Sequence, residues 1–437
     1  MTGWEQILFV CAVTAVLAPL LGRYLAATFR TPGGRAPGDS ISKSGTRSGS
    51  KSGTRSGSKS GGPGGTSKSA PGDRVFLPVE RLIYRALRVD PDNSMTWQGY
   101  AVAVLIFGLA STVLLYAILR LQGVLPDNPT HAPGMSPMLS FNTAISFITG
   151  TNWQAYEGET AASYFTDMAG LVVAQFTAAA VGLAVALAVV RGIAGTSRRI
   201  GNFWADLTRS LVRVFVPLSI IGALVLVSQG VVQNFTGFRT ALQVAGGTQL
   251  IPGGPVASME VIKLLGTNGG SMYGTGGAHP FENPTGFTNI FELLLVIVLP
   301  FAIIVMFGRL IGRRKQALAL IAVMAAIFLA HTIVAMQAEL HGNHLLPSSV
   351  SQVASGTNIG GNMEGKEARF GPSASALMTV GTMGTTAGAT DSALDSYTPV
   401  GGTAAFVAIL LGEISPGGDG GGLYGILVLA LLSVFIA

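Results

Sequence analysis

The sequence predicts an all-α polytopic membrane protein built from repeated span–half-helix–span units, and three observations carry that prediction. Apolar residues make up 49% of the chain and charged residues only 11%, where a soluble chain carries roughly 25% charge. Apolar runs long enough to cross a bilayer, at about 20 residues per span, recur along the chain. Between them lie three short apolar stretches, each leading into a Gly/Thr/Asn-rich segment too polar to span. Non-helical backbone survives at membrane depth only when it is buried in protein or lines a wet cavity, so these segments read as re-entrant loops.

Seven runs qualify as spans: residues 7–27, 100–121, 168–190, 212–232, 289–310, 317–337 and a Gly-interrupted run over 403–437. The first is long for a signal-peptide core and has no basic segment before it, so it reads as a retained span. The single cysteine, Cys11, excludes a disulfide within the chain. Residues 31–74 contain the octad SKSGTRSG at 42–49 and again at 50–57. This Gly/Ser composition reads as a flexible basic linker, with weak attraction to anionic lipid headgroups as the sharper alternative. Over 78–90, Arg81, Arg85 and Arg88 share one helical face and Leu82, Ile83 and Leu87 another, which predicts a short helix at the membrane surface.

Of the 27 Lys and Arg residues, 13 lie in 23–88, 5 in 191–213 and 4 in 309–315, which are alternate loops. By the positive-inside rule those loops are cytoplasmic, and the N-terminus and the three polar loops are extracytoplasmic. The expected organisation is an extra helix (1–30), the linker (31–74), the interfacial helix (75–99) and three units at 100–208, 209–314 and 315–437. Loops arranged around one pore axis would want four units for a complete ring. The sequence is therefore expected to be truncated, with the fourth unit missing.

The second loop, 263–287, is the most telling. Gly266, Gly269 and Gly270 permit backbone conformations that other residues avoid, and carbonyls turned inward can replace a cation's hydration shell, as in a selectivity filter. Gly269 in particular is expected to hold its carbonyl toward the ion. Candidate cation-binding positions here are Thr267, Asn268, Gly269 and Gly270. In the first loop they are Thr151, Asn152, Trp153 and Gln154, with Trp153 bracing the turn; in the third, Thr386, Ala387 and Gly388. Hydroxyl, amide and carbonyl oxygens are hard ligands suited to an alkali cation.

Around these loops other residues invite a role. Asp391 and Asp395 would concentrate cations in an extracellular vestibule, or simply cap the next span. His279 and Glu282 would form an acid/base pair in an enzyme, but they read better as anchors of a loop bounded by prolines, and no nucleophile signature accompanies them. The stretch 360–371 reads as a solvated, folded extracellular loop. Inside the last run, Glu413, Pro416, Gly417, Gly418, Asp419 and Gly420 interrupt the helix and bring charge to membrane depth. They read as a gate loop on the cytoplasmic side of the filter.

At these residues the chain resembles the potassium-binding subunits of the Kdp potassium-transporting ATPases. The segments that carry the resemblance are FNTAISFITGTNWQAYEGET, LGTNGG with AHPFENPTGF, NMEGKEARFG, GEISPGGDGGGLYG and ERLIYRALRVDP. It covers nearly the whole chain except 31–74. It implies a member of the potassium channel and transporter superfamily in a bacterial inner membrane. Such a subunit binds extracellular potassium at Thr151–Gln154, Thr267–Gly270 and Thr386–Gly388. It passes the ion through an intramembrane tunnel to an ATP-hydrolysing P-type ATPase subunit, with small accessory membrane subunits beside them. The absence of DKTG and GxxxxGK[ST] sequences agrees with a chain that does not itself hydrolyse ATP. No covalently bound cofactor and no nucleic acid partner is expected; potassium and the lipid bilayer are. Where the family commonly continues GGFFNAN, this chain has Gly270-Ser271-Met272-Tyr273-Gly274-Thr275-Gly276, and Thr386-Ala387-Gly388 stands where Ser-Cys-Gly is common. A stand-alone potassium channel or an ion-gradient-driven transporter of the same superfamily is the alternative.

Overall fold

Helices account for most of the described residues, as the long apolar runs require. The structure is a computed structural model that describes residues 2–30, 70–195 and 198–437. The octad repeats, and with them most of the expected linker, lie outside the described residues. Among the described residues, six helices are long and apolar enough to cross a membrane. They are α1 (Gly3–Thr28), α3 (Trp97–Leu121), α5 (Thr166–Ala194), α6 (Phe203–Ser228), α8 (Gly286–Leu310) and α9 (Arg314–Leu340). Shorter helices complete the set: α2 (Asp73–Leu87), α4 (Pro137–Ile148), α7 (Val256–Leu265), α10 (Gly371–Gly384), α11 (Pro399–Leu410) and α12 (Gly421–Ile436).

The helix starts follow local chemistry. Thr2 and Glu5 form a reciprocal capping box at α1, Thr285 and Thr288 do the same at α8, and Thr96, Ser136 and Thr398 cap α3, α4 and α11. Each cap satisfies amide groups that the first turn leaves without partners. Two spans begin or bend through π turns, Thr166–Val172 in α5 and Leu211–Phe215 in α6, a deviation often associated with functional sites. Each of the half-helices α4, α7 and α10 packs on the span before it, α3, α6 and α9. The helix α1 lies along α8, with Gly22 at the closest approach: a Cβ there would stand 2.6 Å from the Ala302 carbonyl oxygen. Small residues permit such crossings inside a bilayer, where packing rather than water drives association.

The structure differs from the sequence expectation at several points. The interfacial helix begins at Asp73 rather than 78, and it is not simply laid on a surface. Glu80 is fully buried and pairs with Arg213 of α6, which also holds Asp73 at 2.7 Å. Short strands also appear, because a few paired backbone groups suffice. Met95–Thr96 pairs with Arg199–Gly201, and Arg239–Leu242 pairs with Thr248–Ile251 in a hairpin turned by Gly246 and Gly247 at φ of 90° and 95°.

The stretch 360–371 is solvated only in part, with Glu364, Gly365 and Ala368 exposed. The Lys366 and Glu339 side chains are fully buried and 2.8 Å apart. Glu339 also accepts from Asn362 Nδ2 (2.7 Å) and from the Thr398 backbone N–H (2.9 Å), and Lys366 Nζ sits 4.1 Å from the centre of the Tyr397 ring. Removing one partner leaves an uncompensated buried charge, which costs about 3–5 kcal/mol. Lys366→Met is therefore expected to lower thermal stability in detergent sharply, with a parallel loss of membrane yield. An unchanged unfolding temperature would mean that the pair is not buried as described.

Candidate functional site

The C-terminal ends of α4, α7 and α10 meet, and the three turns that follow them share one backbone plan. In each, the second residue past the helix adopts a left-handed conformation: Gly150 (φ 84°), Thr267 (φ 46°) and Thr386 (φ 57°). Its N–H bonds three residues back, to the carbonyls of Phe147, Leu264 and Met383. In the first and third turns the residue two further on, Asn152 or Gly388, bonds six residues back, to Ser146 or Thr382. This pattern aligns Gly150-Thr151-Asn152 with Thr267-Asn268-Gly269 and Thr386-Ala387-Gly388. A left-handed threonine costs about 1–2 kcal/mol, and such strain persists where the surroundings over-determine it, commonly at functional sites.

Gly269 joins the three turns. A Cβ on it would stand 2.7 Å from the Ala387 carbonyl oxygen and 3.4 Å from that of Thr151. Among the described residues, the carbonyl oxygens of Thr151, Thr267, Asn268, Thr386 and Ala387 receive no hydrogen bond from the protein. Three helix C-termini, each with partial negative charge, therefore end at a group of backbone oxygens without donors. That arrangement suits a desolvated cation. The flank between the first and third turns is open. Thr149 and Thr151 are exposed there, and a Cβ on Gly388 would meet nothing within 4 Å.

Several expected roles change. The Gly269 carbonyl does not stand free for an ion: together with that of Gly270 it accepts from Gln175 Nε2, at 2.9 Å each. Trp153 does not brace the first turn, since the residue is 69% exposed. Gln154 braces it instead. Its Nε2 donates to the Ser271 carbonyl (2.9 Å) and its Oε1 accepts from the Ser271 N–H (2.8 Å). Gly270, at φ 80°, has the Phe147 ring 2.7 Å from where a Cβ would be. Asp391 does not line a vestibule. It is fully buried, and burial pushes its carboxyl up to about 6; Asp395 is exposed.

His279 and Glu282 are anchors. The imidazole stacks on Tyr273 with ring centres 4.0 Å apart, and its Nδ1 accepts from the Phe281 N–H. Burial and the nearby Arg369 hold its pKa below the usual histidine value. Glu282 accepts from the Tyr273 N–H at 3.1 Å.

Directly against these turns lies the segment 411–420, between α11 and α12. Glu413, at φ 57°, accepts from Thr386 Oγ1 at 2.8 Å, and the Asp419 N–H donates to Thr267 Oγ1 at 2.9 Å. The Gly417 N–H reaches the Gly384 carbonyl at 3.2 Å, and Pro416 Cδ lies 2.6 Å from where a Gly384 Cβ would be. A Cβ on Gly418 would stand 3.4 Å from Thr267 Oγ1, and one on Gly420 would stand 2.2 Å from the Gly182 carbonyl oxygen of α5. The segment thus seals onto the left-handed threonines of the second and third turns.

Comparison with known proteins places these features in a family. Residues 65–437 match the family KdpA, potassium-transporting ATPase A subunit. The chain is 44% identical over 438 residues to proteins of Mycobacterium tuberculosis and Mycobacterium bovis named potassium-transporting ATPase potassium-binding subunit. That alignment takes in 100% of this chain and 71% of theirs. A protein of the same name from Kineococcus radiotolerans is 50% identical over 362 residues, 83% of this chain and 63% of its own. With a family match across most of its length and relatives this similar, the chain belongs to the KdpA family of the potassium-transporting ATPases.

Proposed function

We propose that this chain is the potassium-binding and translocating subunit of an ATP-driven high-affinity potassium uptake system. Its selectivity filter is formed by the turns at Gly150–Gln154, Thr267–Gly270 and Thr386–Gly388. The observation that carries this reading is the wedge of Gly269 between the carbonyls of Thr151 and Ala387, at the meeting point of three helix C-termini. Backbone oxygens supply the ligands, and Gln154 and Gln175 hold the turns in register. On the open flank, a further span–half-helix–span unit would close the ring.

The protein sits in the bacterial inner membrane with its N-terminus and filter mouth extracytoplasmic, an orientation that the lysine and arginine distribution supports. Chemistry belongs to a P-type ATPase partner, with small accessory membrane subunits beside it. The segment 411–420 closes the straight route inward and diverts the ion through a tunnel toward that partner. Co-purification of this chain with an ATP-hydrolysing membrane protein whose activity rises with potassium and not with sodium is the expected result. A chain that carries potassium flux alone, without such a partner, would instead establish the channel reading.

A further inference from the structure

Behind the second turn lies a buried ionic group that potassium coordination does not require. Lys263, in the last turn of α7, is fully buried, with Nζ 2.5 Å from Glu260 Oε2 and 4.0 Å from Glu282 Oε2. An ammonium group has three donors and, without water, must find acceptors for them. One goes to Ser271 Oγ at 2.8 Å. Ser271 is the first residue past the second turn, and its backbone N–H and carbonyl are both held by the Gln154 side chain of the first turn. A continuous chain of contacts therefore runs from the Glu260–Lys263 pair through Ser271 and Gln154 to the first turn.

The backbone alignment makes this arm comparable between units. Ser146, Lys263 and Thr382 occupy the same place, four residues before the left-handed residue. Ser146 Oγ accepts from the Trp153 N–H and so holds the far end of its own turn. Thr382 Oγ1 returns to its own helix at the Met378 carbonyl, 2.9 Å away. Only the second unit places a charge here, and the residue that its arm holds, Ser271, is the one whose backbone the first turn's Gln154 grips.

We propose that Lys263 and Ser271 are positioning residues for cation selectivity: the buried lysine fixes Ser271, and Ser271 through Gln154 sets the spacing between the first and second turns. This rests on the reading of those turns as the filter. Discrimination among monovalent cations depends on the number and placement of coordinating carbonyls, so a shift in that spacing alters preference before it alters folding. A change of about tenfold in affinity corresponds to about 1.4 kcal/mol.

Ser271→Ala is the informative variant, because it removes the acceptor and leaves the Glu260–Lys263 pair intact. In the purified complex with its ATPase partner, the potassium concentration for half-maximal stimulation should rise about tenfold and the preference for potassium over rubidium should narrow. The maximal rate and thermal stability should stay within about twofold and a few degrees of the parent. Ser271→Thr, which keeps the hydroxyl, should restore both affinity and preference. A lower maximal rate and yield at unchanged preference would make Ser271 a structural residue only and overturn the proposal, as would unchanged affinity and preference. Gly269→Asp in the same assay separates the two levels. If it disrupts selectivity while Ser271→Ala is silent, the positioning role alone fails; if neither variant changes affinity or preference, the filter reading fails with it.

Discussion

Gly269→Asp is expected to abolish potassium-selective binding, with affinity falling by at least roughly 100-fold, a loss of about 2.7 kcal/mol or more. Two effects combine. The added Cβ would stand 2.7 Å from the Ala387 carbonyl oxygen, so backbone from the second or third turn must move, and neither is a flexible side-chain end. The carboxylate would then lie among carbonyl oxygens, where like partial charges repel it. Binding of a cation directly to the carboxylate would not restore selectivity, because the strong field of one anionic ligand favours smaller cations such as sodium over potassium. Potassium titration of stimulated ATP hydrolysis, with sodium and rubidium as competitors, measures the effect. Parent-like affinity and preference would mean that the junction of the three turns is not where the ion is selected.

Shortening residues 415–422 to a few residues is expected to produce a passive potassium leak and to uncouple transport from ATP hydrolysis. The segment meets the turns proposed as the filter through Glu413 to Thr386 and Asp419 to Thr267. Its backbone is in close contact with α5 at Gly182 and α10 at Gly384. Backbone packed this closely leaves no room for a hydrated ion. Buried Asp419, whose carboxyl oxygens have no hydrogen-bond partner among the described residues, adds an ionisable group at membrane depth, where such residues are costly and usually functional. Potassium flux into liposomes without ATP provides the readout, with correct folding checked by partner binding. A leak no larger than that of the parent would remove the segment from the gating mechanism.

Much of this architecture is legible in the sequence because the bilayer leaves few options. An apolar run of sufficient length has to be a helix, and each expected span corresponds to helix in the structure, the last one broken into α11 and α12 around the glycines. The Thr/Gly turns are legible for the same reason, since polar backbone between spans must be enclosed. Register within a turn is not. The first turn aligns from Gly150 rather than Thr151, a shift visible only through hydrogen bonds back to the half-helix.

Side-chain roles are also hidden, because they depend on which elements meet. Gln175 looks like one polar residue in an apolar span, although an isolated amide at that depth is itself a signal. Lys263 and Lys366 count as loop charges by position, yet each is buried against a glutamate. Trp153 suggests a brace by its size, while the brace is Gln154, which can donate and accept across the gap at once.

The most direct test of the filter assignment is rubidium crystallography of the purified protein, using anomalous scattering to locate the ion. The expected result is a peak at the junction of the three turns, within coordination distance of the Thr151 and Ala387 carbonyls, that disappears in Gly269→Asp. A peak confined to another place, such as the buried carboxylate of Asp391, with none at the junction, would contradict the assignment.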